Sequence, residues 1–125
     1  MYYKGVDICA HAIKTAKTEN SWADFENIDL LKLSEKRKYN MIILNEVIYY
    51  LPDAEYIIKK YSDYLTNNGI MIVSYYFPTD TNHSPFLDII GNISKILHNE
   101  MDHIELIDEV MITNLIKNKR WNILI

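Results

Sequence analysis

The sequence has 125 residues, with 13 Lys and Arg against 17 Asp and Glu, and a net charge of −4. This length fits a single folded domain, residues 1–125, and the acidic balance argues against general nucleic-acid binding. No stretch approaches the roughly 20 apolar residues of a membrane-spanning helix, and the N-terminus lacks the apolar block of a signal peptide. The one cysteine, Cys9, excludes an internal disulfide framework and a cysteine-based zinc site. We therefore expect a soluble, cytoplasmic domain.

Glycine is scarce, which limits the kinds of nucleotide site that the chain can contain. The three glycines are Gly5, Gly69 and Gly91, and no two are close in sequence. This spacing excludes both the P-loop and the G-x-G-x-x-G fingerprint of dinucleotide-binding domains.

The apolar pattern predicts six strands and three helices. Strands are predicted over residues 3–8, 22–28, 40–44, 70–76, 103–112 and 120–125. The first predicted helix runs from residue 10 to a stop at Asn20 and Ser21, and the second from Leu51 and Pro52 to a stop at residues 67–69. The third is predicted over residues 87–97, with an interruption at Gly91. Residues 32–38, with four cations and one Glu, are predicted to be a solvated connection. The continuous apolar run at 40–44 is typical of a strand covered on both faces.

The order of these elements predicts an α/β fold with a mixed sheet. Strands alternate with helices through the first three-fifths of the chain, which favours βαβ units and parallel pairing. Only a short polar turn at residues 117–119 separates the last two strands, which we expect to form an antiparallel hairpin.

Polar residues end three consecutive predicted strands: Asp7, Asp29, and the pair Asn45 and Glu46. In open α/β sheets, ligands bind beyond the carboxyl ends of the strands. A carboxylate at such a point can accept hydrogen bonds from both hydroxyls of a ribose. The alternative is that each polar residue only closes the turn that follows its strand.

The run K-G-V-D-I-C-A-H-A-I-K-T-A at residues 4–16 contains a predicted strand that ends at an acid and leads into a predicted helix. This run resembles the second strand and following helix of the class I S-adenosylmethionine-dependent methyltransferase family, and within it the small-molecule branch that includes NodS-like enzymes. Residues 25–30 resemble its third strand, 39–51 its fourth strand and exit loop, and 65–74 the start of its fifth. Residues 121–125, at the end of the chain, fit the last strands of its sheet.

The resemblance implies a Rossmann-like methyltransferase fold that is truncated at its N-terminus. In the family, a first strand and a glycine-rich loop precede the matching run, whereas this sequence has Met1, Tyr2 and Tyr3 there. Two arrangements would satisfy the strand edges: the sheet order 3-2-4-5-7-6 in family numbering, or a strand supplied by another chain. We expect a homodimer or a partner chain that covers the first-strand position.

The resemblance also implies a site for S-adenosylmethionine. Its residues would be Asp7 at the ribose, Asp29 at the adenine, and Asn45 and Glu46 near the sulfonium, with Ile8, Ile28 and Leu30 beside the acids. Glu46 suits a cationic sulfonium, although it can equally be a helix N-terminal charge or part of a surface ion pair.

Methyl transfer needs alignment and desolvation more than acid–base groups, so few catalytic residues are expected. If the acceptor must lose a proton, His83 is the first candidate base and His11 the second. Tyr49 is the other candidate catalytic residue; with Tyr50 it either shapes the acceptor pocket or packs. No metal site is predicted, because a helix-to-strand bend explains the polar residues at 98–103.

We expect a minimal S-adenosylmethionine-dependent methyltransferase that acts on a small molecule. The alternative is a non-catalytic cofactor-binding or regulatory subunit that completes a partner methyltransferase.

Overall fold

A computed structural model describes residues 2–77, 85–98, 105–114 and 119–125 of the chain. The chain divides into two compact units, Met1–Lys36 and Arg37–Ile125. The first contains strand β1 (Lys4–Asp7), helix α1 (Ala10–Glu19) and strand β2 (Asp24–Asn27). The second contains β3 (Tyr39–Asn45), a 3₁₀ turn (Ile48–Tyr50), α2 (Ala54–Ser62), β4 (Leu65–Phe77), α3 (Pro85–His98), β5 (Glu109–Asn114) and β6 (Lys119–Leu124). Each of the six predicted strands and three predicted helices has a counterpart among these elements.

The first unit is a βαβ arrangement. Strands β1 and β2 pair in parallel, with Lys4 opposite Asp24 and Asp7 opposite Asn27. Helix α1 makes the crossover that parallel neighbours require, and its C-cap is the predicted Asn20, whose N–H donates to the Ala16 carbonyl at 2.9 Å. Asp7 and Asn27 therefore lie at the same edge of this two-stranded sheet.

The segment at residues 32–38 is more closely packed than the solvated connection that its charges predict. Leu33 is buried, and Glu35 Oε2 lies 3.1 Å from Nζ of Lys4. The same ammonium lies 2.8 Å from Glu26 Oε2, and the Lys4 side chain is only 15% exposed. The other five residues are exposed and the segment contains no helix or strand, as its charges predict; Leu33 and Glu35 depart from the prediction because Leu33 is buried and the Glu35 carboxylate is a partner of the Lys4 ammonium.

The second unit is built on a four-stranded sheet with the order β3-β4-β6-β5. Strand β3 pairs in parallel with β4, and Asn45 at the end of β3 lies opposite Ser74. Strand β6 pairs antiparallel with both β4 and β5. The carboxyl end of β3 and the Ser74 part of β4 therefore share one edge of the sheet.

The sheets differ from the continuous order 3-2-4-5-7-6 in one respect. The described residues form two separate ladders, β1-β2 and β3-β4-β6-β5, so the predicted pairing of β1 with β3 is in neither. Strand β3 also differs from the prediction that both its faces are covered. Leu44 is buried, but Met41 and Ile43, which point to the opposite face, are 52% and 55% exposed.

Helix α2 begins and ends at residues other than those predicted. Asp53 is its N-cap, and its carboxylate accepts the Tyr56 N–H at 2.9 Å, so Pro52 lies just outside the helix. The helix ends at Ser62 rather than near residues 67–69, because Leu65 already pairs with Tyr39 in the sheet. The core of this unit comprises Leu44, Ile48, Ile57, Ile58, Tyr61, Val73, Tyr75, Ile90 and Ile93.

The predictions for α3 and β5 were wrong in one detail each. Helix α3 continues through Gly91 without the predicted interruption, and β5 begins at Glu109 rather than at residue 103. Residues 103 and 104 lie outside the described ranges. Within those ranges, no helix combines the length and the apolar character needed to cross a membrane.

Candidate functional site

The strand ends of the first unit are fixed by side-chain hydrogen bonds. Oδ1 of Asp7 accepts the N–H of Cys9 at 2.7 Å, which closes the turn that leads into α1. From the neighbouring strand, Nδ2 of Asn27 donates to the carbonyl oxygens of Asp7 and Ile8 at 2.9 and 2.8 Å. The backbone around Asp7 is therefore held from both sides, while Oδ2 of Asp7 accepts no hydrogen bond from the described residues.

Asp29 follows the same pattern two residues beyond the end of β2. Its Oδ1 accepts the N–H of Leu31 at 2.9 Å. The N–H of Ile28 donates to the Asp7 carbonyl at 3.1 Å, so the loop that carries Asp29 begins against the end of β1. Both acids thus close turns, as the alternative interpretation expects, and each uses only one carboxylate oxygen to do so.

Apolar side chains accompany these acids. Ile8 is 74% exposed directly after Asp7, and Ile28 and Leu30 are half-buried on either side of Asp29. In such an arrangement the carboxylates can accept hydrogen bonds from hydroxyl groups, and the apolar side chains can contact a flat ring. Five of the predicted site residues, Asp7, Ile8, Ile28, Asp29 and Leu30, therefore lie on adjoining loops of one unit.

Asn27 belongs to this group and was not predicted. It ties two loops together through its amide, and it is the last residue of β2. The sequence contained little signal for Asn27, because it lies inside the predicted strand 22–28, and the polar residue that follows that strand is Asp29.

A second set of polar groups lies at the carboxyl end of β3. Glu46 has a φ of 52°, in the left-handed region that non-glycine residues seldom adopt. Its N–H donates to the carbonyl oxygen of Ser74 at 3.0 Å and to the Ser74 hydroxyl at 3.1 Å. That hydroxyl in turn donates to Oδ1 of Asn45 at 2.8 Å. The predicted pair Asn45 and Glu46 is therefore bound to β4 by one buried serine.

Tyr49 contacts the same group. Its hydroxyl donates to Oε2 of Glu46 at 3.0 Å, and its ring centroid lies 4.5 Å from that of Tyr50. Burial, together with the hydrogen bond to Glu46, raises the pKa of the Tyr49 hydroxyl above its ordinary value of 10.0. The Tyr49 hydroxyl is therefore a donor that orients the Glu46 carboxylate.

Two of the four histidines, His11 and His98, lie within the described residues. His83, the first candidate base, lies outside the described ranges, as do Asp102 and His103. His11 is exposed on α1, and Nδ1 of His98 lies 2.7 Å from the Ser94 carbonyl. In the described part of the chain, no three His, Cys, Asp or Glu side chains gather in the manner of a metal site.

An open depression of about 480 Å³ lies at the opposite end of β3 and β4 from Asn45 and Ser74. It is lined by Lys38, Asn40, Leu65, Thr66, Asn67 and Asn68. Ligands of open α/β sheets bind at the carboxyl ends of the strands, so this depression is on the wrong side for the predicted site.

Comparison with known proteins identifies relatives of this architecture. Residues 2–122 match the profile of a family described as "Methyltransferase domain". No curated protein matches the chain.

Solved structures share the fold at low sequence identity. N-methyltransferase NodS from Bradyrhizobium japonicum WM9, in complex with S-adenosyl-L-homocysteine, has a TM-score of 0.73 and 16% identity. The match covers 98% of this chain and 64% of NodS. The plantazolicin methyltransferase BpumL, with a desmethyl analogue and the same ligand, has a TM-score of 0.67 and 14% identity over 98% of this chain and 67% of its own. Coclaurine N-methyltransferase has a TM-score of 0.66 and 8% identity over 88% and 39%.

These likenesses establish the α/β fold that the chain shares with these three structures. They also show that the chain spans about two-thirds of the length of NodS and BpumL.

Proposed function

This chain belongs to the methyltransferase domain family, and we propose that it binds S-adenosylmethionine and takes part in methyl transfer to a small-molecule acceptor in the cytoplasm. The observation that carries the proposal is the fixed end of β1. Asn27 and the Cys9 N–H hold the Asp7 backbone and one carboxylate oxygen, which leaves Oδ2 for the ribose hydroxyls. The crystallised complexes of NodS and BpumL with S-adenosyl-L-homocysteine give the ligand class.

We propose the following roles for individual residues toward this cofactor. Asp7 would accept from the ribose, Asp29 and the apolar side chains of Ile8, Ile28 and Leu30 would contact the adenine, and Asn45 and Glu46 would face the sulfonium. When bound, the cofactor supplies a methyl group on a positively charged sulfur. A carboxylate at Glu46 favours such a cation electrostatically, and Tyr49 holds that carboxylate in one orientation.

Methyl transfer forms a bond from the acceptor atom to the methyl carbon as the carbon–sulfur bond breaks, and the sulfonium becomes a neutral thioether. An acceptor that carries a proton must release it. We propose His83 as the base for that proton, because Tyr49 is a donor to Glu46 and its pKa is raised.

We propose that residues 1–125 form one methyltransferase-like domain whose open strand edges are covered by another polypeptide segment, in a homodimer or with a partner chain. In the ladders of the described residues, β1 pairs with β2 alone and β3 with β4 alone, so each strand has one edge unpaired. A strand with an unpaired edge exposes backbone N–H and C=O groups that can pair with another strand. The direct arrangement 3-2-4-5-7-6 is the alternative. Light scattering of the purified chain tests the homodimer: a mass of one chain with and without ligand would contradict it. Co-purification tests the partner chain, and recovery of the chain alone would contradict that form of the proposal.

The function is tested by isothermal titration of the full chain with S-adenosyl-L-homocysteine. We expect saturable binding with one ligand per chain, competed by S-adenosylmethionine. Absence of binding to the purified protein, at ligand concentrations that saturate NodS measured in parallel, would contradict the proposal.

A second candidate function is a non-catalytic subunit that binds the cofactor and completes a partner methyltransferase. The favouring observation is that β1 and β3 each have one edge unpaired in the ladders of the described residues, where a strand of a partner could add. Co-purification from the source organism distinguishes the two: methyl transfer by the lone chain supports the enzyme, and transfer only after addition of the co-purified chain supports the subunit.

A further inference from the structure

We propose that Ser74 is a positioning residue that aims Asn45 and Glu46 at the sulfonium end of the cofactor, an inference that rests on the proposed function. Ser74 lies within β4, is 8% exposed, and is opposite Asn45 in the parallel register of β3 and β4. It is the one buried polar residue in the described part of the chain. A buried hydroxyl needs partners, and those of Ser74 are both at the end of β3.

The hydroxyl of Ser74 both donates and accepts a hydrogen bond. A serine hydroxyl has one proton to donate and two lone pairs that accept. Its proton goes to Oδ1 of Asn45 at 2.8 Å, and its oxygen accepts the Glu46 N–H at 3.1 Å. Because Oδ1 of Asn45 is engaged, the amide of Asn45 presents its two N–H donors away from Ser74.

The same contacts hold an unfavourable backbone conformation. Glu46 has a φ of 52°, which a residue with a Cβ adopts only when its surroundings impose it. The carbonyl oxygen of Ser74 also accepts the Glu46 N–H, at 3.0 Å, so backbone and side chain of one residue share that donor. Loss of the Ser74 hydroxyl removes one of the two acceptors and releases Asn45.

The conformation of Glu46 decides where its carboxylate lies. With φ in the left-handed region, the side chain reaches the hydroxyl of Tyr49, which donates to Oε2 at 3.0 Å and leaves Oε1 for a ligand. Ser74 therefore acts on a cation through Glu46, without contact of its own. A positioning role of this kind affects a ligand with a positive charge more than the same ligand without it.

Two ligands that differ in this respect are the probes. S-adenosylmethionine carries a positive sulfur, and S-adenosyl-L-homocysteine has a neutral thioether in its place. For Ser74→Ala, we expect the Kd of S-adenosylmethionine to rise about tenfold, the usual size of a partly exposed charge interaction, and that of S-adenosyl-L-homocysteine to rise less than about threefold. Ser74→Thr keeps the hydroxyl and should restore most of the difference.

Val73→Ala is the matched control, because Val73 is 2% exposed in the same strand and its side chain has no polar group. If Ser74 acted only by supporting the structure of β4, Ser74→Ala would raise the Kd values of the two ligands by the same factor, as we expect for Val73→Ala. That result, or an unchanged ratio of the two Kd values in Ser74→Ala, would overturn the proposal.

Hydrogen exchange separates this inference from the proposed function. If the wild-type chain binds neither ligand, the proposed function fails, and the positioning of Glu46 by Ser74 is decided by the Glu46 amide alone. We expect its exchange rate to rise at least about tenfold in Ser74→Ala and to stay near the wild-type rate in Ser74→Thr. Equal rates in wild type and Ser74→Ala would overturn the positioning role whatever the ligand results.

Discussion

Nδ2 of Asn27 lies 2.9 Å from the carbonyl oxygen of Asp7, so a side chain at the end of β2 fixes the backbone at the end of β1. This bond joins residues that are opposite each other in the parallel register. Oδ1 of the Asp7 carboxylate accepts the Cys9 N–H, whereas no hydrogen bond from the described residues reaches Oδ2. A ligand with two adjacent hydroxyls would find an acceptor that is already oriented, which lowers the entropy cost of binding.

Asp7→Asn tests the charge of this acceptor while keeping Oδ1 for the Cys9 turn. Hydrogen bonds to a charged acceptor contribute about 2 kcal/mol, so we expect the Kd of S-adenosyl-L-homocysteine to rise roughly thirtyfold. The measurement is isothermal titration at constant pH and salt. Asp24→Asn is the control: it makes the same charge change at the opposite end of the same two strands, and it should alter the Kd less than about twofold. Equal effects of the two variants would refute a specific role for Asp7.

Gly5 and Gly91 offer a matched pair of glycine-to-alanine substitutions. A Cβ at Gly5 would lie 2.6 Å from Cδ1 of the Phe25 ring, whereas a Cβ at Gly91 has no neighbour within 4 Å. We expect Gly5→Ala to lower the free energy of unfolding by about 1–3 kcal/mol through overpacking. Gly91→Ala should raise it by up to about 1 kcal/mol, because alanine is the better helix former. Urea unfolding followed by circular dichroism measures both, and equal effects would contradict the packing of β1 on β2.

Because of Lys4, the free energy of unfolding depends on pH in the alkaline range. Its hydrogen bond to Glu26 raises the pKa of the ammonium above the ordinary 10.5; burial opposes this, and Glu35 adds to the rise. A raised pKa in the folded state means that the stabilisation is complete below pH 10.5 and is lost as the pH rises above it. At neutral pH, Lys4→Met should cost about 2 kcal/mol, because it leaves two carboxylates without their cation.

The pH series supplies its own check. The difference in unfolding free energy between wild type and Lys4→Met should shrink above pH 10.5, where Lys4 of the unfolded chain begins to lose its proton while Lys4 of the folded chain still keeps it. Lys59→Met removes an exposed pair with Glu55 and should cost no more than about 0.5 kcal/mol. A cost for Lys4→Met as small as that for Lys59→Met would contradict the half-buried ion pair.

Asp53 sets the start of α2 and gives a further test of the fold. Its carboxylate accepts the Tyr56 N–H at 2.9 Å, so Asp53→Ala should lower the free energy of unfolding by about 1 kcal/mol. Asp53→Asn keeps an oxygen acceptor at the cap and should lower the free energy of unfolding by only a few tenths of the loss expected for Asp53→Ala. If the helix began at Leu51 or Pro52 instead, both variants would be nearly neutral.

The strand ends could be predicted from the sequence because their signal is local. An apolar run followed at once by a polar residue marks where a strand leaves the sheet, and Asp7 and Asn45 both follow this rule. The stop of α1 at Asn20 is equally local, since an amide N–H closes onto the preceding turn. These features depend on residues a few positions apart, which a sequence displays directly.

Other features depend on partners that are far away in the chain. Ser74 sits in an apolar run, and its partner Asn45 is 29 residues earlier, so nothing near Ser74 marks it as a residue of the site. Leu65 continues the helical stripe of α2 but joins the sheet, because it pairs with Tyr39. The exposed face of β3 at Met41 and Ile43 was missed for a similar reason: an apolar run indicates a strand but not how many of its faces are covered.

The most direct test compares adenosine with its analogue that lacks the adjacent 2′ and 3′ hydroxyls of the ribose. Each nucleoside is titrated into wild type and into Asp7→Asn. If the Asp7 carboxylate receives those hydroxyls, the substitution should weaken adenosine binding at least about tenfold and alter binding of the analogue less than about twofold. An equal loss for both nucleosides would place Asp7 away from the ribose, and no loss for either would contradict a nucleoside site at the end of β1.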